Sequence, residues 1–281
     1  MRRSQLAGIV VIVSIGVIGL VACSTSGSDD VVVPTIASFD TLPTALFLTQ
    51  NAPPPGFGEV NFDPVDLHLS DRQGWTYAVT GSFEGTFDAS GQPASGTLDM
   101  QVQSNELGQT RRVVLEINGN AFLANEALLQ LEGVRWSNDY YLVDVNGRCT
   151  VDEGGAMGGA AIADLSAGQL IGGVRRAVPT GHRLEIEGIP AWQYTFVPGD
   201  ARLPAIHLRT DSTTALSADL WIAPSYNAVL RYEVTATVQK VHLLWVDQAA
   251  ASTVSGTLYL RYEVNIPALG VLPNISVPHG C

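Results

Sequence analysis

Residues 75–87 read Trp-Thr-Tyr-Ala-Val-Thr-Gly-Ser-Phe-Glu-Gly-Thr-Phe, and this stretch decides the fold class. Trp75, Tyr77, Val79, Phe83 and Phe87 fall on one face, and Thr76, Thr80, Ser82, Glu84 and Thr86 on the other. Side chains of a strand point alternately to its two sides, so this period of two predicts a strand buried on one face. Outward from it, Leu98, Met100 and Val102 alternate with Asp99, Gln101 and Gln103, and Val113, Leu115 and Ile117 continue the pattern. Asn118-Gly119 and Asn146-Gly147 predict tight hairpins, because both turn positions favour positive φ. The first half therefore reads as an antiparallel meander.

Strands resume late in the chain. Leu184 and Ile186 oppose Glu185 and Glu187, followed by Tyr194 with Phe196 and then Leu220 with Ile222. Leu230, Tyr232, Val234, Ala236 and Val238 oppose Arg231, Glu233, Thr235 and Thr237. Leu258, Leu260, Tyr262 and Val264 oppose Thr257, Tyr259, Arg261 and Glu263. The pentapeptide Leu-Arg-Tyr-Glu-Val occurs at 230–234 and again at 260–264. Two neighbouring strands of the same face chemistry would explain the duplication, with Arg and Glu pairing across them.

Between these halves, residues 154–173 are rich in Gly and Ala, and Ser166-Ala-Gly-Gln169 resembles a capping box. The pattern predicts a helix through 160–176 in which Leu170, Ile171 and Val174 share a face. Arg175 and Arg176 suit the dipole at its end, and Pro179 stops it. Glycine weakens such a helix in isolation, so it depends on packing against the sheet. The phosphate-binding patterns Gly-x-Gly-x-x-Gly and Gly-Lys-Ser/Thr are absent from the glycine-rich run, which excludes that reading. A brief helix is also expected over 41–51, with Pro43 in its first turn and Leu46 and Phe47 as its apolar face, ended by Ala52-Pro-Pro-Pro-Gly56.

The chain opens Met1-Arg2-Arg3, has no charge from Leu6 to Ala22, and reaches Leu20-Val-Ala-Cys23. A charged start, an apolar run and a cysteine behind small residues resemble a bacterial lipoprotein signal with its lipobox. The resemblance implies export, cleavage before Cys23 and acylation of Cys23; an uncleaved N-terminal anchor is the alternative. Residues 1–22 are then the signal, 23–36 a flexible tether carrying Ser24-Thr-Ser-Gly-Ser-Asp-Asp30, and 37–281 one domain. Losing Arg2 and Arg3 leaves 13 of 15 basic residues against 27 acidic ones, a formal charge of −14. Such a surface repels nucleic acid and anionic headgroups. With Cys23 acylated, Cys149 and Cys281 remain as one pair in a disulfide-permissive compartment, two free thiols being the alternative.

Several late stretches together resemble the LolA-like superfamily of bacterial lipoproteins and lipoprotein carriers, of the LppX and LprG type. They are Glu187-Gly-Ile-Pro-Ala-Trp-Gln-Tyr194 and Ala218-Asp-Leu-Trp-Ile-Ala-Pro224 running into Val229-Leu-Arg-Tyr-Glu-Val234. The resemblance covers roughly residues 60–280 in element order, with motifs only in the late third. It implies an α+β, mainly β fold: a strongly curved antiparallel half-barrel with a few helices on its concave face, holding acyl chains between them. The helical segment departs from that pattern in having few aromatic or long aliphatic residues.

The partners so implied are a membrane, through acylated Cys23, and a lipid or other apolar ligand, with no nucleic acid. Candidate pocket residues are Phe47, Leu170, Ile171, Val174, Trp221 and Trp245, although a core helix and core tryptophans would give the same pattern. No catalytic residue, cofactor or metal is expected. The five histidines, at 68, 182, 207, 242 and 279, lack metal-ligand spacing, and no nucleophile elbow or Ser-x-x-Lys occurs. Asp63 and Asp66 could flank a cleft, but a solvated turn explains the pair better. Asp144-Val-Asn-Gly147 reads as a turn. The expectation is therefore a lipid-anchored extracytoplasmic protein, with a non-enzymatic envelope or adhesion module as the alternative.

Overall fold

A computed structural model describes residues 51–123, 128–153, 158–204, 206–207, 213–243, 253–265 and 272–281. Cys23, all of the expected helix over 41–51 but its last residue, Phe47 included, and Trp245 lie outside the described residues. Those described belong to one compact unit, Pro43–Cys281. Its strands, in chain order, are β1 (Val60–Phe62), β2 (Gly74–Phe87), β3 (Pro93–Asn105), β4 (Thr110–Asn118), β5 (Leu128–Trp136), β6 (Asp139–Val143) and β7 (Cys149–Glu153). After two short helices, α1 (Gly159–Ala163) and α2 (Ala167–Leu170), come β8 (Gly173–Ile186), β9 (Ile189–Thr195), β10 (Ala201–Arg202), β11 (Ile206–His207), β12 (Thr213–Ala223), β13 (Ala228–Leu243) and β14 (Val254–Asn265). Among the described residues no helix is long and apolar enough to cross a membrane.

The fold is mostly antiparallel sheet, and the sheet is not closed. Its order is β1-β8-β9-β12-β13-β14-β2-β3-β4-β5-β6-β7, with β10 paired to β8 and β11 to β13. The meander read from the sequence is the run β2 to β7. The N-terminal strand β2 pairs with the last strand β14 along most of its length, Val254 opposite Phe87 to Asn265 opposite Thr76.

The predicted faces are the observed ones. Trp75, Tyr77, Val79 and Phe83 are buried on β2, Leu98, Met100 and Val102 on β3, and Val113, Leu115 and Ile117 on β4. Tyr232, Val234, Ala236 and Val238 on β13 join Leu258, Leu260, Tyr262 and Val264 on β14 in the same cluster. β-Branched and aromatic residues suit such a half-buried pleated surface. On the opposite face the duplicated pentapeptides lie side by side in antiparallel register, Arg231 opposite Glu263 and Glu233 opposite Arg261. Arg231 meets Glu263 at 2.5 Å, and Arg261 meets Glu233 at 3.3 Å and Glu263 at 2.5 Å.

Three local expectations are corrected. The helix through 160–176 is two fragments, and the second ends at Leu170. Its start follows the sequence: Ser166 Oγ accepts from the Gln169 N–H, and the Gln169 side chain accepts from the Ser166 N–H. It ends early because Gly172 adopts φ +70°, where a Cβ would sit 1.9 Å from the Arg202 carbonyl oxygen. Val174 therefore lies on β8 opposite Phe62, and Pro179 sits inside β8 opposite Tyr194 rather than stopping a helix. Strand pairing overrides the helical spacing here.

The other two concern turns. Asn118-Gly119 does not make a two-residue hairpin, since β4 ends at Asn118 and β5 begins only at Leu128. Asn146-Gly147 belongs to a five-residue connection in which Asp144 Oδ1 accepts from the Asn146 and Arg148 N–H groups at 2.9 Å each. Those bonds, the Arg148 one foremost, hold the Asp144 carboxyl below its usual range.

A disulfide joins Cys149, at the start of β7, to Cys281, with their Cα atoms 5.5 Å apart. It links positions 132 residues apart, the outermost strand of the meander and the C-terminal segment. That segment reaches the other side of the meander, where Asn105 Nδ2 donates to the Pro273 carbonyl at 3.2 Å.

Candidate functional site

A strap, Phe57–Asp71, crosses one end of the buried sheet face. Phe62, Val65 and Leu69 anchor it in the core, at 3 %, 2 % and 2 % exposure. Its remaining ties are polar and specific. Asp63 accepts from Arg202 Nε at 2.6 Å and lies 3.5 Å from Arg175 Nε. Val65 N–H donates to the Gly172 carbonyl at 2.8 Å. Asp66 accepts from the Ala167 N–H at 3.1 Å and the Gly168 N–H at 3.2 Å, the first free donors of α2. A carboxylate is well placed there, because the first turn of a helix leaves its N–H groups unpaired. Gly168 is required by the closeness of the strap: a Cβ would lie 2.1 Å from Pro64 Cβ.

Beneath the strap runs a row of tyrosines. Tyr194 on β9 pairs with Leu220 on β12, Leu220 with Tyr232 on β13, Tyr232 with Tyr262 on β14, and Tyr262 with Val79 on β2. Tyr77, two residues along β2, packs its ring 5.2 Å from that of Tyr262 and is stacked on Trp75 at 5.3 Å. Their hydroxyls meet different fates. Tyr194 donates to the Phe57 carbonyl of the strap at 2.7 Å. Tyr77 lies 3.4 Å from Asp66 Oδ2 and accepts from the Ala167 N–H at 2.9 Å. The Tyr232 and Tyr262 hydroxyls are buried with no hydrogen-bond partner among the described residues. Each such unpaired group is unfavourable by about 1–3 kcal/mol.

All four phenols are held protonated. Burial pushes Tyr194 up to about 12. Tyr77, Tyr232 and Tyr262 are pushed further, by burial first and then by Asp66, by Asp63, and by Asp66 with Tyr77, respectively. They are therefore neutral donors at any physiological pH.

Arg111 closes the other side of this knot. Its guanidinium lies 5.0 Å over the Trp75 ring and donates to the Leu165 carbonyl at 2.7 Å. Arg72, just beyond the strap, donates to the Tyr226 carbonyl and sits 5.3 Å over that ring. The two strap carboxylates thus fasten chain to chain: Asp63 joins the strap to β8 and β10, and Asp66 joins it to α2 and β2.

Of the sequence candidates, Leu170 and Ile171 lie in the core cluster with Val65 and Leu69, and Val174 is buried on β8. Trp221 is only partly buried and stands opposite Gln193 and Arg231, on the face of β12 away from Leu220 and Ile222. Of the described candidates, Leu170, Ile171 and Val174 thus share the core cluster, and Trp221 is only partly buried against it. Reading the residues missed the tyrosine row, since a tyrosine at a buried strand position counts as core unless its hydroxyl is considered. The signal was available in two inward tyrosines, Tyr232 and Tyr262, on the strands that the duplicated pentapeptide makes neighbours. A separate depression of about 260 Å³ opens at the far end of β2, lined by Ser82, Phe83, Glu84, Ser95, Gly96, Thr97, Asn118 and Gly119.

No family model matches the chain, and no curated protein matches it. Two solved structures bear a weak likeness. An uncharacterised conserved protein from Thermus thermophilus is 10 % identical with a TM-score of 0.26, over 80 % of this chain and 89 % of that one. A domain provisionally described as an outer membrane lipoprotein-sorting protein, from Vibrio parahaemolyticus, is 11 % identical with a TM-score of 0.19, over 80 % and 90 %. At such scores neither likeness carries an argument about fold or activity.

Proposed function

We propose that this protein is a non-enzymatic extracytoplasmic lipoprotein, anchored through acylated Cys23, that binds or transfers a lipid or other apolar ligand within a half-barrel formed by its sheet. The observation that carries the reading is the strap. A long open sheet has its apolar face covered at one end by a short segment seated by Phe62, Val65 and Leu69 and tied on its polar side by Asp63 and Asp66. Beneath that segment lie two buried hydroxyls without partners among the described residues. Movement of this cover parts only the short end strand β1 from β8 and leaves the other strand pairs in place, which gives an apolar ligand a route in. Apolar ligands are held by shape and a dry lining, with few polar contacts, so the lack of catalytic motifs fits this reading. The anchor follows from Leu20-Val-Ala-Cys23 and keeps the body close to its membrane.

Two experiments test it. Protein from a lipid-containing bacterial host, extracted and analysed by mass spectrometry, should yield stoichiometric lipid; lipid-free extracts would overturn ligand binding. Metabolic labelling with palmitate should mark the full chain and be abolished in Cys23→Ser. A second reading, an envelope or adhesion module that binds a protein or glycan, is favoured by the open depression that Ser82, Ser95, Thr97 and Asn118 help to line and by the filling of the interior by Leu170 and Ile171. It predicts capture of an envelope component that is lost when Thr97 and Asn118 are replaced.

A further inference from the structure

Tyr232 and Tyr262 are direct cross-strand neighbours on β13 and β14, both fully buried on the same face. Opposed residues in such a pair have their Cβ atoms roughly 5 Å apart, and from these adjacent positions the Tyr262 ring packs on Tyr77 and the Tyr232 ring on Phe196. The neighbouring tyrosines are already satisfied, Tyr194 by Phe57 and Tyr77 by the Asp66–Ala167 contacts. Of this row, only the central pair is left with unused hydroxyls among the described residues.

Resting on the ligand-binding reading above, we propose that the Tyr232 and Tyr262 hydroxyls donate to an uncharged ester carbonyl carried by an acyl chain. Three features select that chemistry. Protonated phenols supply donors, and a carbonyl oxygen has two lone pairs to receive them. Both tyrosines are fully buried, so a charged head would lose its hydration there at a cost that a neutral carbonyl does not meet. The surrounding row of Leu220, Val79 and Met100 is apolar, as is the chain that carries the ester.

The test measures equilibrium binding of methyl palmitate, palmitate and hexadecane to the full chain at neutral pH. Methyl palmitate should bind about tenfold more tightly than either of the others, the gain expected from one or two neutral hydrogen bonds. Tyr232→Phe and Tyr262→Phe should each erode that preference and leave hexadecane binding unchanged. Equal binding of methyl palmitate and hexadecane by the unaltered protein overturns the ester site while the apolar-ligand reading stands. Binding of none of the three overturns both. Ligand-free Tyr262→Phe should unfold at or above the midpoint of the unaltered protein, since no bond is lost. A clear fall would show the hydroxyl already bonded within the fold, and would also overturn the proposal.

Discussion

The two edges of the sheet are finished differently. At one edge β7 is tied covalently, Cys149 to Cys281 across 132 residues of sequence. At the other, β1 belongs to a strap fastened by Asp63 to Arg202 and Arg175 and by Asp66 to the start of α2. A covalent tie is insensitive to salt and pH and acts mainly on the unfolded chain. A carboxylate tie is local and reversible, and its loss leaves the rest of the sheet paired. Under the function proposed above, the difference separates a fixed edge from a releasable one, which is the arrangement a ligand-admitting cover needs.

The comparison breaks first at the disulfide. Replacing both Cys149 and Cys281 by Ser should lower stability by about 4 kcal/mol, near the upper end for such a loop, as read from denaturant midpoints. If the loss is no larger than that for Asp63→Asn, the two edges are not distinct in kind. Next comes the junction beneath the strap. Gly172→Ala should lose about 3 kcal/mol, because positive φ and a clash with backbone add. Gly147→Ala has nearly the same φ, +72° against +70°, but open space around its Cβ. It should lose only about 1 kcal/mol; equal losses would mean that the contact with Arg202 is not tight.

Asp63→Asn comes third. It should cost about 2 kcal/mol, the scale for leaving a part-buried charged partner unsatisfied, and hydrogen exchange should rise in the strap without rising in β2, β13 or β14. Uniform acceleration would make the strap part of the global core instead of a releasable cover. Smallest is Glu263→Gln, below about 1 kcal/mol for a half-exposed pair. Burial raises the Glu263 carboxyl, but hydrogen bonds from Arg231 and Arg261 outweigh it and leave it below the usual range. A depressed folded pKa gives stability that is present above the unfolded value, about 4.3, and lost as pH falls through the folded one. The variant should therefore flatten the acid limb of the stability–pH curve slightly, and leave its slope at neutral pH and above unchanged.

The fixed edge and the sheet centre were legible in the sequence because their signals are periodic or chemical. Trp75 to Phe83, Leu98 to Val102 and Leu258 to Val264 alternate cleanly, and setting Cys23 aside as the proposed lipidation site leaves one cysteine pairing. The releasable edge was not, because its structure comes from single long-range contacts. Leu170, Ile171 and Val174 have helical spacing, yet Gly172 and the strand partner Phe62 place Val174 on β8. Asp63 and Asp66 look like solvated loop carboxylates until Arg202, Arg175 and α2 are brought to them from far along the chain. Tyr232 and Tyr262 were placed on the correct face, but burial says nothing of what a hydroxyl will find there.

The duplicated pentapeptide has a consequence for how β13 and β14 find one another. Antiparallel pairing puts Arg231 on Glu263 and Glu233 on Arg261. A slip of two residues one way would oppose Arg231 to Arg261, and a slip the other way would oppose Glu233 to Glu263. A slip of one residue would turn the whole apolar face of a strand outward. Like charges directly opposed are destabilising, so each near-miss alignment meets its own penalty. Two copies of the same five letters thus make the pairing of β13 with β14 self-checking while the strands are still assembling.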